Sequence, residues 1–119
     1  MKTRLHFGIN LWMKTDKGVL LGPGRMRLLE LVGETGSLRK AAEVMGMSYR
    51  AAWGKIKESE DALGAPLLGK RGSNRQGSHL SADGQELIRL YKDWLEEVKR
   101  HAAATAQTTF KEFFDLERP

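Results

Sequence analysis

The 119 residues contain no cysteine. Disulfides, thiol nucleophiles and cysteine-ligated zinc or iron–sulfur sites are therefore excluded, and a reducing, cytosolic setting fits the composition. Long apolar runs are missing as well. The start, MKTRLHFGINLWMKTDKG, is basic but alternates apolar with polar residues, and it lacks the continuous apolar core of a signal peptide. No segment approaches the length of a membrane span, so a cytoplasmic chain with no membrane partner is expected. Catalytic groupings are also absent. The three histidines, His6, His79 and His101, are scattered, and no cluster has metal-ligand spacing. The glycines of GKRGSNRQGS lack the Gly-Lys-Ser or Gly-Lys-Thr ending of a phosphate loop. No enzyme, metal or cofactor is expected.

What is present is positive charge, unevenly spread. The chain carries 20 Lys and Arg against 15 Asp and Glu, a formal charge of +5, which raises the prior for a polyanionic partner. Residues 1–36 hold 6 basic against 3 acidic side chains, residues 37–79 hold 8 against 4, and residues 80–119 hold 6 against 8. The excess thus lies in the first two-thirds, a length suited to one domain with a modest core.

Ser37 to Leu63, SLRKAAEVMGMSYRAAWGKIKESEDAL, reads as two short helices joined by a tight turn. Ser37 caps the first, with Leu38, Ala41, Ala42 and Met45 on one face, Gly46 stops it, and Ser48 caps the second. At about 100° per residue, Ala52, Ile56, Ser59 and Leu63 share a core arc while Tyr49, Arg50, Trp53 and Lys57 share another. The second arc offers two donors for phosphates or guanine edges and two aromatics for sugars or a thymine methyl. It has the make-up of a recognition helix, with a solvated basic face as the ordinary alternative.

The rest reads as support. Alternating Leu5, Phe7, Ile9, Leu11 and Met13 predict a strand, KTDKG a turn and Val19–Leu21 a return strand, giving an N-terminal hairpin over 5–21 with Trp12 on its outer face. Gly22-Pro23-Gly24 opens a helix that Gly36 ends. After Gly64-Ala65-Pro66, residues 66–80 read as a wing. Leu67-Leu68 and His79-Leu80 make short strands, and GKRGSNRQGS between them forms a basic tip without any acidic residue. Lys70, Arg71, Ser73, Asn74 and Arg75 are its candidate DNA contacts, with a plain surface hairpin as the alternative. Ser81 caps a long last helix whose stripe, Leu87, Tyr91, Trp94, Leu95 and Val98, exceeds what so small a core can cover and predicts a twofold dimer. Phe110, Phe113 and Phe114 either continue this helix or fold back. The fold class expected is α+β, mainly α, with a DNA-binding unit over 1–80 and a dimerisation helix and tail over 81–119.

The run SYRAAWGKIKESEDALGAPLLGKR resembles the helix-turn-helix of the LysR-type regulators, with its serine cap, its alanine and isoleucine core positions and its leucine-glycine-x-proline-leucine step. GSLRKAAEVMGMSYRAAW is more closely similar to the ModE family, the molybdate-responsive transcriptional regulators, and LSADGQELIRLY extends the likeness over roughly residues 5 to 100. The resemblance implies a winged helix-turn-helix that binds double-stranded DNA as a homodimer, with contacts from Ser48, Tyr49, Arg50, Trp53 and Lys57. Full-length members add molybdate-binding domains, and the sequence stops where those would begin, so no molybdate cofactor is expected and a separate sensor protein is one way to supply a signal. A winged-helix module that docks another protein, and a single-domain oxyanion sensor, are the alternatives.

Overall fold

The computed structural model describes residues 3–69 and 79–116. They form two compact units, one made by Leu11–Arg89 and the other by Met1–Asn10 with Leu90–Pro119.

In the first unit, β2 (Met13–Thr15) and β3 (Gly18–Leu21) make an antiparallel hairpin, α1 (Pro23–Thr35) follows, and α2 (Leu38–Val44) and α3 (Tyr49–Leu63) make the helix-turn-helix. Local chemistry sets these boundaries. Pro23 occupies the first turn of α1, where its missing N–H costs nothing, and the helix ends on Gly36 at φ 70°. The Ser37 and Ser48 hydroxyls accept from Lys40 N at 3.1 Å and Ala51 N at 3.0 Å, so both expected caps are made. Helix α2 closes at Met45, and Gly46 takes the left-handed φ of 69° that turns the chain into α3. Leu21, Leu28, Leu29, Val32, Leu38, Ala41, Ala42, Ala52, Ile56 and Leu67, all at most 1% exposed, form the core. Each leucine, isoleucine or valine among them contributes about 1.5–3 kcal/mol of burial free energy, and each alanine well under half of that.

In the second unit, the later part of α4 (Ala82–Phe110) leads through a turn to β4 (Phe114–Leu116), which pairs in parallel with β1 (Thr3–Leu5), Thr3 opposite Phe114. The aromatic tail therefore leaves the helix at Phe110. The rings of Phe113 and Phe114 lie 6.3 Å apart.

Three expectations change. The alternating stretch from Leu5 to Met13 is not one strand, and the hairpin spans 13–21 rather than 5–21. A strand needs a partner edge, and the four residues of β3 extend only as far as Met13–Thr15, while β1 finds its edge in β4. The compact units accordingly divide within α4, and the first ten residues go with the C-terminal unit. Leu63, placed on the core arc, is 37% exposed, and Ala62 is buried instead. The hairpin reaches the end of α3 on the Ala62 side, where the Thr15 hydroxyl donates to Ala62 O at 3.1 Å.

Candidate nucleic-acid interface

The exposed arc of α3 starts at its cap. Ser48, exposed, accepts from Ala51 N through its hydroxyl oxygen and retains an O–H donor. Tyr49 is half-buried, and the guanidinium of Arg39, from α2, sits 4.5 Å above its ring centre. This cation–π contact joins the two helices across their turn and holds a positive charge beside the start of α3. Arg50 is exposed and makes no ion pair with any described residue, while Trp53 is half-buried on the same side. Lys57 is exposed and pairs with Asp61 one turn on at 3.4 Å, a bond worth only a few tenths of a kcal/mol that a phosphate can replace. The structure thus places Arg50, Trp53 and Lys57 along one side of α3, with Tyr49 half-buried in its first turn and Ser48 as the cap ahead of it.

Behind this face α3 is locked in orientation. Arg25, from α1, donates to Val19 O at 2.9 Å, to the buried Ser59 Oγ at 3.1 Å and to the Glu58 carboxylate. One guanidinium therefore ties the hairpin, α1 and α3 together. The hydrogen bond from Arg25, and then its charge, hold the Glu58 carboxyl below the ordinary glutamate value.

The base of the expected wing is equally defined. Leu68 and Leu80 form an antiparallel bridge, closed by Gly69 N to His79 O at 2.6 Å and Ser81 N to Leu67 O at 2.9 Å. The Glu60 carboxylate accepts from Leu67 N at 2.8 Å and Leu68 N at 3.4 Å, so α3 itself fixes where this segment departs. Ser81 Oγ donates to Pro66 O at 2.7 Å and accepts from Gly84 N at 2.9 Å, capping α4. Gly84 is required by close approach, since a Cβ there would stand 2.3 Å from Leu67 O. Lys70, Arg71, Ser73, Asn74 and Arg75 lie outside the described residues.

On α4, Leu87, Leu95 and Val98 are half-buried and Trp94 is 40% exposed, whereas Tyr91 is buried within the single chain, its ring edge-on to Trp94 at 6.2 Å. Burial pushes the Tyr91 hydroxyl pKa up. Among the described residues no group of three or more His, Cys, Asp or Glu is placed to hold a metal, and no helix is long and apolar enough to cross a membrane.

Sequence reasoning did not reach Arg39, Arg25, Ser59 as its acceptor, or Glu60. Only Arg39 had a usable signal, a cation on the helix that the tight turn folds against Tyr49.

Comparison with known proteins agrees with this architecture. The DNA-binding regulator ModE of Escherichia coli K12, described as a dual transcriptional regulator, is 34% identical over 98 residues, which are 79% of this chain and 36% of that protein. The molybdenum transport protein ModE of Azotobacter vinelandii is 33% identical over 92 residues, 76% of this chain and 34% of that one. The chain thus spans about a third of the length of these relatives. A solved LysR family transcriptional regulator shares the fold at a TM-score of 0.54 and 24% identity, over 74% of this chain and 29% of that one. A CbnR DBD–DNA complex does so at 0.56 and 22%, over 72% and 95%. The family model described as bacterial regulatory helix-turn-helix protein, lysR family, matches residues 23–85, more than half the chain, and the protein belongs to that family.

Proposed function

We propose that the chain is a sequence-specific DNA-binding transcriptional regulator, acting in the cytoplasm as a homodimer that lays α3 in the major groove of double-stranded DNA. The observation that carries this reading is the face of α3 opposite its buried arc. Arg50, Trp53 and Lys57 lie along it, and at its N-terminal end stand the cap Ser48 and the half-buried Tyr49, with Arg39 stacked on the tyrosine. Such a face suits a groove, because long cations reach phosphates or guanine edges while the aromatic rings contact sugars and methyl groups.

In this reading Arg50 reads a base edge from the first turn of α3, and Ser48 and Lys57 hold phosphates. Lys70, Arg71, Ser73, Asn74 and Arg75 supply further backbone contacts from the segment that leaves the Leu68–Leu80 bridge. Leu87, Tyr91, Trp94, Leu95 and Val98 belong to the pairing helix, and the exposure of Trp94 at 40% and of Leu90 at 50% supports that role. A twofold pair would present two α3 helices to half-sites of the same symmetry.

The test is to sequence the genomic fragments retained by the purified protein at moderate salt, then titrate the recovered duplex between about 50 and 200 mM salt. A shared sequence with two related half-sites, and an affinity falling steeply with salt, is the expected result. Binding of no fragment above background, or affinity indifferent to salt, would refute it and favour a protein-docking module.

A further inference from the structure

We infer that Gly54 sets how deeply α3 seats in its groove, the bare backbone at this position being the point where the helix comes nearest to the duplex. This rests on the DNA-binding reading above. Gly54 lies inside the 15-residue α3, where glycine is the least favoured residue after proline because it has the most backbone freedom to lose. Nothing among the described residues calls for it. Among the described residues, a Cβ built on Gly54 meets no atom within 4 Å beyond its own turn of helix, whereas on Gly22 it would lie 3.2 Å from the Trp12 Cβ and on Gly84 it would strike the Leu67 carbonyl. Nor does the backbone require glycine, since Gly54 is not among the positive-φ glycines of the described residues, which are Gly18, Gly36, Gly46 and Gly64. The helix therefore carries a weakening residue, exposed to solvent, with no use among the described residues.

Its place on the helix supplies an external use. At about 100° per residue Gly54 falls close to the direction opposite Ala52, Ile56 and Ser59, the three buried residues that mark the core side. It lies one turn beyond Arg50 and one turn before Lys57. The most outward ridge thus reads Arg50, Gly54, Lys57, two long cations with a gap between them. An α-helix with its side chains is about 10–12 Å across and the major groove about 12 Å wide, which leaves little slack. With a gap at the most forward point, the axis can approach while the flanking cations reach to either side. A side chain there would hold the helix off and loosen every base contact together.

The test compares Gly54→Ala and Gly54→Leu with the unaltered protein in thermal unfolding and in binding two duplexes at one salt concentration: the sequence recovered from genomic fragments, and a random sequence of equal length. Both variants should unfold roughly 2–5 °C higher, because each residue favours helix over glycine. Both should bind the recovered duplex more weakly, by about fivefold for alanine and about fiftyfold for leucine, the scale of one or two loosened base contacts, with random DNA changed less than about twofold. Gain in stability with loss of specific affinity separates this role from a folding defect. A leucine variant that binds the recovered duplex as tightly as the unaltered protein overturns the inference, as does equal weakening on both duplexes or a fall in unfolding temperature. If the unaltered protein selects no duplex at all, it is the DNA-binding reading that fails, and this inference with it.

Discussion

Replacing Glu60 by alanine probes how the end of α3 is tied to the segment that follows it. Glu60 Oε2 accepts from Leu67 N at 2.8 Å and from Leu68 N at 3.4 Å, and these two leucines are 0% and 7% exposed. The Leu68–Leu80 bridge uses neither amide, since its own bonds run from Gly69 N and Ser81 N. Truncation would therefore leave two sheltered donors without an acceptor. The shorter bond, to a carboxylate, is worth about 1.5–3 kcal/mol, and the longer one adds little. Alanine's better helix propensity offsets only a few tenths of a kcal/mol. At roughly 2.1 cal/mol/K of unfolding entropy per residue, 1 kcal/mol moves the midpoint of a chain this size by about 4 °C, so Glu60→Ala should lower it by about 6–12 °C. Glu60→Gln keeps an acceptor oxygen and loses only the charge, so its fall should be at most about 4 °C. Differential scanning calorimetry measures both. Equal shifts for the two variants, or a drop under about 2 °C for alanine, would show that water satisfies these amides and that α3 does not anchor the wing base.

Arg50→Ala should cost about 1–3 kcal/mol on the recovered duplex and flatten its preference over random DNA. Equal weakening on both, measured by fluorescence anisotropy, would remove its base-reading role and make Tyr49 or Trp53 the better candidate. Arg25 holds the Glu58 carboxyl below its ordinary value, so the stabilisation is fully present above the unfolded-state value and lost as pH falls through the native one. Urea midpoints should therefore decline on acidification below about pH 4.3 more steeply for the unaltered protein than for Glu58→Gln; parallel acid limbs would deny the pair any role in stability. Exchanging Trp94 and Val98 for charged residues should shift light scattering at micromolar protein from dimer to monomer and weaken DNA binding, because each half would then bind separately. A monomeric unaltered protein would dispose of the symmetric operator.

The helix-turn-helix was legible because its determinants are local. Ser37 and Ser48 cap within three residues, Gly36, Gly46 and Gly64 supply left-handed turns, and the buried and exposed arcs of α3 follow from helical period alone. The same locality made the candidate DNA face readable, since Tyr49, Arg50, Trp53 and Lys57 need only the helix to come together. The family likeness rests on this stretch too, and the matched region includes all of it.

Tertiary structure decided whatever depends on a distant partner. Alternation from Leu5 to Met13 states that a strand is allowed, but which edges exist is settled by chain reversal, and the two ends of the segment pair with β4 and β3. Arg25 and Glu58 are 33 residues apart, and nothing in either neighbourhood announces that their side chains meet across α1 and α3. Glu60 reads as one more acidic residue on a helix until Leu67 and Leu68 bring their amides to it. Composition and period therefore determined which elements form and which face of α3 stands exposed with its cations. Packing, through carboxylate and guanidinium bonds that close long loops, determined how that face is aimed.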